Sequence, residues 1–418
     1  MKLLLRSVQV IDPQSPWNGK TVDVELKNGR VSAIGGKLSL SSGFKEIDGA
    51  GKCLSPGWLD LQADFAEPGT EWREDLSTGA EAAARGGFTG VCLSPLTSPV
   101  VDNKAGVEYF TRRSGDTVVE LLPKGSLTVH AAGEQMAELF DMHQSGAVAF
   151  SDDYRAVTNP NLIKLGLLYT RDFNGLVMSF PHEPNICGKG VMNEGPESTY
   201  LGLKGMPKMA EEIIVQRDLD LAEYTGGRLH IRTISTAKSV ELIRRAKAKG
   251  LNVTADVSVA HIAFTDGELR DYDTRWKILP PLREEVDRKA LIAGLKDGTI
   301  DAVTTNHKPQ DIETKKCEFD LASFGMIGLQ TAYSLLRREF SDEDCVRLLG
   351  IQPRQVLGLD APTIDVDAEV NYTLFDPKAK WNFTESEVAS KSKNSPLLGR
   401  EFSGKAIGVL RGKHSVFF

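Results

Sequence analysis

The side chains best suited to chemistry fall in a few short stretches: Gln62-x-Asp64, the pair Asp152-Asp153, Ser179, Thr233, and Thr305-Asn306-His307. Seven histidines accompany them, at positions 130, 143, 182, 230, 261, 307 and 414. Imidazole titrates near neutrality and ligates transition metals, so any one of these could move a proton or hold zinc. The oxygen donors Asp64, Asp152, Asp153 and Asn306 suit a harder ion such as Mg²⁺ or Ca²⁺ if the fold brings them together. The plainer role for Asp152-Asp153 is a helix or turn cap, which aspartate often supplies. Gly188-Lys189-Gly190 has the composition of a phosphate loop but lacks its spacing and its following Ser or Thr.

What must position these groups is an alternation of strand and helix. Apolar, β-branched or aromatic runs occur at 58–61, 88–93, 118–122, 147–150, 176–180, 229–234, 253–257 and 300–304. Helical patterns lie between several of them. Residues 237–249 place Ala237, Val240, Ile243 and Ala246 on one face, with Gly250 beyond the last turn. Residues 288–296 close at Asp297-Gly298, and 79–85 close at Gly86-Gly87. Eight such repeats predict an α/β fold with a parallel sheet closed into a (β/α)₈ barrel over 56–365. Residues 1–55 and 366–418 read instead as short strands with turns at Asn28-Gly29, Asp48-Gly49 and Arg411-Gly412. They predict one small composite β-sandwich domain built from both termini.

In such a barrel the chemistry sits just past the C-terminal ends of the strands. That places Gln62, Asp64, Ser94 to Thr97 with Leu96 among them, Asp152, Asp153, Ser179, Thr233, Ser258 to His261, Asn306 and His307 around the mouth. Residues 181–210, rich in Gly, Pro and Met, form a long segment over it, a candidate lid or partner surface. His230 precedes Thr233 by three residues and so faces the other side of its strand. His182 is expected to be a polar loop residue. The charges at 116–120 and 211–212 are ordinary solvated ones.

The chain has 418 residues, 41% hydrophobic and 26% charged, with 50 Lys and Arg against 57 Asp and Glu, a formal charge of −7. This balance, with no basic tract, gives no electrostatic case for nucleic acid or an anionic membrane. No apolar run approaches a membrane span, and the apolar start at 3–5 is too brief for a signal peptide. Five scattered cysteines without a Cys-x-x-Cys pair argue against a disulfide framework and fit a reduced, cytoplasmic compartment.

Ser55-Pro56-Gly57-Trp58-Leu59-Asp60, followed by Glu67-Pro68-Gly69, resembles the first barrel strand of the dihydroorotases and related cyclic amidohydrolases. Matching stretches follow in order at 82–89, 150–153, 280–283, 297–301 and 324–328, so the resemblance spans about 1–412. It implies the amidohydrolase barrel and a reaction that opens or closes a cyclic amide with one or two zinc ions. A bound divalent ion acidifies water and polarises the carbonyl, so imidazoles and carboxylates must converge at the strand ends.

At the positions this resemblance assigns to ligands, the side chains are different ones. The His-x-His pair is Gln62 and Asp64, the fifth- and sixth-strand histidines are Ser179 and Thr233, and the final aspartate, ligand and proton shuttle, is Asn306. An amide cannot serve as a general base. Of the family's ligand set only the bridging acidic position is retained, assigned to Asp152. The substrate-clamping arginine falls at Ala66, and the asparagines expected beside the substrate fall at Leu96 and Leu279. No catalytic residue and no cofactor are therefore expected, with Asp64 and Asp152 as the remaining metal candidates.

The first functional expectation is a dihydroorotase homologue of pyrimidine biosynthesis that has lost zinc chemistry, a pseudoenzyme. The resemblance implies aspartate transcarbamoylase as a partner that it scaffolds, and a homo-oligomeric assembly. Two alternatives stand beside it. One is an active dihydroorotase or other cyclic amidohydrolase that uses zinc with an atypical ligand set. The other is a sensor of a small pyrimidine intermediate, with Gln62, Asp152, Asn306 and His307 as polar anchors in the old pocket.

Overall fold

A computed structural model describes residues 1–418, apart from the side chain of Asp116. One member of the charged stretch at 116–120 thus lies outside the described residues. Seven barrel strands follow in chain order: Trp58–Ala63, Phe88–Leu93, Glu120–Pro123, Leu176–Ser179, Arg228–Ile231, Val253–Ser258 and Ala302–Thr304. The first three pair in parallel, as do the last four. The run expected at 147–150 contributes single parallel bridges, Gly125 to Phe150 and Phe150 to Val177, which join the two arcs. A bridge from Ala63 to His307 closes the ring. The eightfold alternation is therefore real, with its fourth strand reduced to one residue, Phe150, that bridges to both neighbours.

The closure depends on Asp60, which is fully buried. Its carboxylate accepts hydrogen bonds from Thr304 Oγ1 (2.7 Å), Thr305 N (2.8 Å) and Thr305 Oγ1 (2.5 Å), tying the first strand to the last. Burial raises its pKa, and these three donors oppose the rise. Beside it, Gly57 lets the chain enter the first strand. A Cβ there would lie 2.1 Å from Thr89 Oγ1 and 2.2 Å from Asn371 Oδ1, so no side chain fits.

The helices follow their sequence signals. Thr236 caps Ala237–Ala248, its hydroxyl accepting from Ser239 N, and Gly250 takes the left-handed conformation (φ +79°) just beyond the end. Val240, Ile243 and Ala246 are buried, as their spacing requires. Asp75 caps Leu76–Arg85 in a reciprocal box with Thr78. Glu285–Lys296 begins one turn earlier than its pattern suggests.

The terminal β-sandwich domain draws strands from Lys2–Val10 to Cys53–Pro56 at one end and from Asn371–Asn382 to His414–Phe417 at the other. Its eight strands form one continuous hydrogen-bonded network. Tyr372, Thr373, Leu374 and Phe375 run antiparallel to Pro56, Ser55, Leu54 and Cys53, so the two ends of the chain are direct neighbours. Leu5, Val8, Val24, Leu54, Tyr372 and Leu410 make its core. Residues 383–400 leave the sheet and return to the barrel, where Phe383, Val388 and Leu397 join the barrel core.

Candidate functional site

The ends of four barrel strands converge on one buried carboxylate, Asp153. Gln62 Nε2 donates to its Oδ2 at 2.9 Å, and Ser94 Oγ donates to the same oxygen. Arg232 Nη1 donates to Oδ1, and Lys124 Nζ lies 3.6 Å from it. Lys124 Nζ also donates to Gln62 Oε1. All five of these side chains are buried, Lys124 and Asp153 fully so. Burial alone would raise the Asp153 carboxyl, but Arg232 and Lys124 outweigh it and hold the group at about 2. Burial pushes the Lys124 ammonium down, and Asp153 partly restores it.

The acidic position retained from the sequence comparison needs correcting. Asp152 accepts from Thr128 N (2.9 Å) and Thr128 Oγ1, a local loop role like the cap considered for it, and burial raises its pKa. Asp153 is the carboxylate that meets Gln62. Its φ of +54° turns the chain out of the extended register at this point, so strand alternation cannot decide which of the two aspartates faces inward.

The other expected positions scatter. Asp64 Oδ1 accepts from Ala66 N (2.8 Å), and its Oδ2 lies 3.6 Å from Arg73 Nη1. Ser179 Oγ donates to Asp218 Oδ2 (2.5 Å), toward the helix Met209–Thr225. Thr233 Oγ1 is buried without a protein partner. Asn306 Nδ2 donates to Leu279 O (3.1 Å), and Tyr154 OH donates to Asn306 Oδ1. Leu279 and Leu96 are half-buried.

None of the histidines joins the cluster at Asp153. His307 is buried, accepts from Gly328 N at Nδ1 (3.2 Å), and points Nε2 toward Glu74 Oε2 at 3.6 Å. His230 is held between Thr254 Oγ1 (2.8 Å) and Asp256 Oδ2 (2.9 Å). His261, placed at the mouth by sequence, is 2% exposed and bonds Pro281 O through Nε2 at 3.2 Å. Burial, reinforced by Arg283, pushes it down to about 4. His182 stacks on Phe180 with centroids 5.8 Å apart, and His130, His143 and His414 are exposed.

Three side chains absent from the sequence reading complete the site. Lys124 and Arg232 supply its positive charge. Tyr154 covers it, its ring between Lys308 Nζ (3.7 Å from the centroid) and the Arg232 guanidinium (5.1 Å), with Phe180 on the guanidinium's other neighbour position at 5.5 Å. Burial lowers the Lys308 ammonium, with Asp64 and Asp153 opposing. A buried lysine on a barrel strand was the available signal for Lys124. Arg232 was hidden because its strand ends at Ile231 and Thr233 has φ +51°, which breaks the period-two rule one residue early.

These residues do not fit zinc. Among the described residues no three His, Cys, Asp or Glu side chains converge as a metal would need, and the central carboxylate already faces two protein cations. The hard-ion alternative fares no better, because Asp64, Asp152 and Asn306 are each engaged elsewhere.

The segment at 181–210 is folded. It holds the short helices Pro184–Cys187 and Pro196–Leu201 and a parallel pair, Met192–Asn193 with Gly205–Met206. Buried Arg283 fastens it, donating to Asn193 Oδ1 and Met206 O at 2.9 Å each.

Residues 51–239 match a family model described as dihydro-orotase-like. A dihydroorotase of Geotalea daltonii is 40% identical, with 97% of each chain covered. That of Trichlorobacter lovleyi is 40% identical over 100% of this chain and 99% of its own, and that of Pelotomaculum thermopropionicum 41% over 97% and 96%. Among solved structures, the L-hydantoinase (dihydropyrimidinase) of Arthrobacter aurescens superposes with a TM-score of 0.86 at 20% identity, covering 99% of this chain and 96% of its own. The dihydropyrimidinase of Brevibacillus agri gives 0.84 at 20%, with 100% and 95% covered. These two share the fold, a barrel with a small β-sandwich.

Proposed function

We propose, from the premise that this chain belongs to the dihydroorotase family, that it is a member in which the metal-dependent hydrolysis has been replaced by a structural ion cluster. The observation that carries this is the contact of Asp153 with both Lys124 and Arg232. A hydrolytic zinc would need that carboxylate and would sit beside two fixed positive charges, an electrostatic penalty that imidazole ligands do not impose. Asn306, bonded to Leu279 O and to Tyr154, offers no base to take a proton from water. No cofactor is assigned.

A family member without chemistry keeps its value as a scaffold, since fold and site are separable. The place we assign it is pyrimidine biosynthesis, as a non-catalytic partner of aspartate transcarbamoylase. That partner comes from the sequence resemblance and is tested by co-purification of the two full-length chains. A homo-oligomer is part of the same proposal, tested by sizing the purified protein.

One observation favours a second reading. Relatives near 40% identity along the whole chain carry the name dihydroorotase, so the alternative is an active enzyme with an atypical site. Elemental analysis of the purified protein together with dihydroorotate turnover, with and without added Zn²⁺, separates the two. Metal-free protein without turnover is the expected result. Stoichiometric metal with turnover above about 1 s⁻¹, the lower edge of ordinary enzyme rates, would overturn the non-catalytic reading.

A further inference from the structure

We propose that the free edge of the Arg232 guanidinium, with the Thr233 hydroxyl next along the chain, is a binding site for a small planar carboxylate. Arg232 is 1% exposed and spends Nη1 on Asp153, but Nε and Nη2 have no acceptor in the protein. Those two nitrogens form the side-on fork of a guanidinium, whose parallel N–H bonds match the two oxygens of a carboxylate. Thr233 Oγ1 is a second buried polar atom without a partner, one residue away. Buried donors are satisfied in the great majority of cases, so two adjacent orphans mark a place built for an acceptor.

The surroundings select for a planar anion. Tyr154 and Phe180 lie 5.1 and 5.5 Å from the guanidinium carbon and confine its neighbourhood with aromatic faces. Lys308, with Nζ 3.7 Å from the Tyr154 ring centroid, adds a second cation. Of the nearby carboxylates, Asp153 is shared by Gln62, Ser94, Lys124 and Arg232 Nη1, while Asp256 is taken by His230 Nε2 and Thr233 N. Asp64 is engaged by Ala66 N and Arg73. Among the described residues no carboxylate is left to fill the fork. Tyr154, whose hydroxyl donates to Asn306, is half-buried where Phe180 is buried, and is the side chain a ligand would displace.

The inference rests on the metal-free reading in one respect, since a metal on Asp153 would compete for the same space. The test is thermal unfolding of the full chain in chloride-free buffer at constant ionic strength, with acetate, dihydroorotate or acetamide added. Acetamide matches acetate in shape and lacks its charge. A saturable rise in melting temperature with acetate or dihydroorotate, and none with acetamide, is expected, because a ligand that binds only the folded state stabilises it. Arg232→Lys keeps a cation for Asp153 but loses the fork, and should weaken binding about tenfold or more. Thr233→Val leaves all charges in place and should weaken it several-fold, and it serves alone if Arg232→Lys does not fold. Equal shifts with acetamide, no shift with either carboxylate, or wild-type affinity in Thr233→Val and in any folded Arg232→Lys would each overturn the proposal. Metal analysis of the same sample keeps the two readings apart: bound zinc with turnover defeats the non-catalytic assignment, whereas metal-free protein indifferent to carboxylates defeats only this one.

Discussion

Two places on the first barrel strand, two residues apart, show opposite histories. At Asp60 the carboxylate binds three donors from the last strand and closes the ring. At Gln62 the side chain has joined an ion cluster with Lys124, Asp153 and Arg232. The first ties the opening strand to the last one and to the residue that follows it, and so holds the ring closed. The second is free to change, because nothing about the closure depends on which groups fill the centre, provided their charges and hydrogen bonds balance. Closure and central charge balance thus rest on two separate sets of contacts.

The comparison predicts that restoring ligands alone does not restore zinc. A variant carrying Gln62→His, Asp64→His, Ser179→His, Thr233→His and Asn306→Asp should stay metal-free by elemental analysis while Lys124 and Arg232 remain. Zinc uptake in that background would show that the cations do not oppose a metal. The next largest effect belongs to Asp153→Ala, which strands two buried cations and should cost about 3–5 kcal/mol in urea unfolding. Asp60→Ala should cost less, about 2–3 kcal/mol, since it leaves only neutral donors unpaired. If Asp60→Ala proves the more damaging, the ranking of closure and cluster is reversed.

Acid titration sharpens the same contrast. His261 has a folded-state value of about 4 against 6.5 for the free side chain, so between those pH values the unfolded chain binds more protons. Stability should fall as pH drops from 6.5 to 4, by up to roughly 1.4 kcal/mol per pH unit, and His261→Gln should flatten that part of the curve. Asp153, at about 2 against 3.8, contributes in full above 3.8 and loses its contribution as pH falls toward 2. The two groups thus act in separate windows of one unfolding-versus-pH curve. The smallest effect expected is at a helix cap: Thr236→Ala removes the cap of Ala237–Ala248 and should cost about 1 kcal/mol by urea unfolding.

Periodicity carried the architecture because it is averaged over many residues. Apolar runs located seven strands and the fourth that is reduced to Phe150. Of the helix face predicted from Ala237, Val240, Ile243 and Ala246, the last three are buried while Ala237, at the helix start, is half-buried. The site is different, since it lies where the strands have just ended. Ala66, Asp153, Thr233 and Asn306 all have positive φ, so each sits after a turn that resets the direction of the next side chain. The family resemblance assigned the retained acidic position to Asp152, one residue before the Asp153 that meets Gln62, and alternation gave no sign of Arg232. The ligand positions could be named by similarity, but their replacements could be found only in three dimensions.

The pairing of Tyr372–Phe375 with Cys53–Pro56 has a consequence for the order in which the molecule is made. Strand Cys53–Pro56 leads directly into the barrel, yet its antiparallel neighbour is synthesised more than three hundred residues later. Phe383, Val388 and Leu397, which complete the barrel core, come later still. A ribosome-bound chain can assemble the strand and helix repeats locally as they emerge, but neither domain is finished until Asn371–Asn382 and the segment 383–400 have followed. Loss of those residues would leave strand Cys53–Pro56, which leads into the barrel, without its antiparallel neighbour.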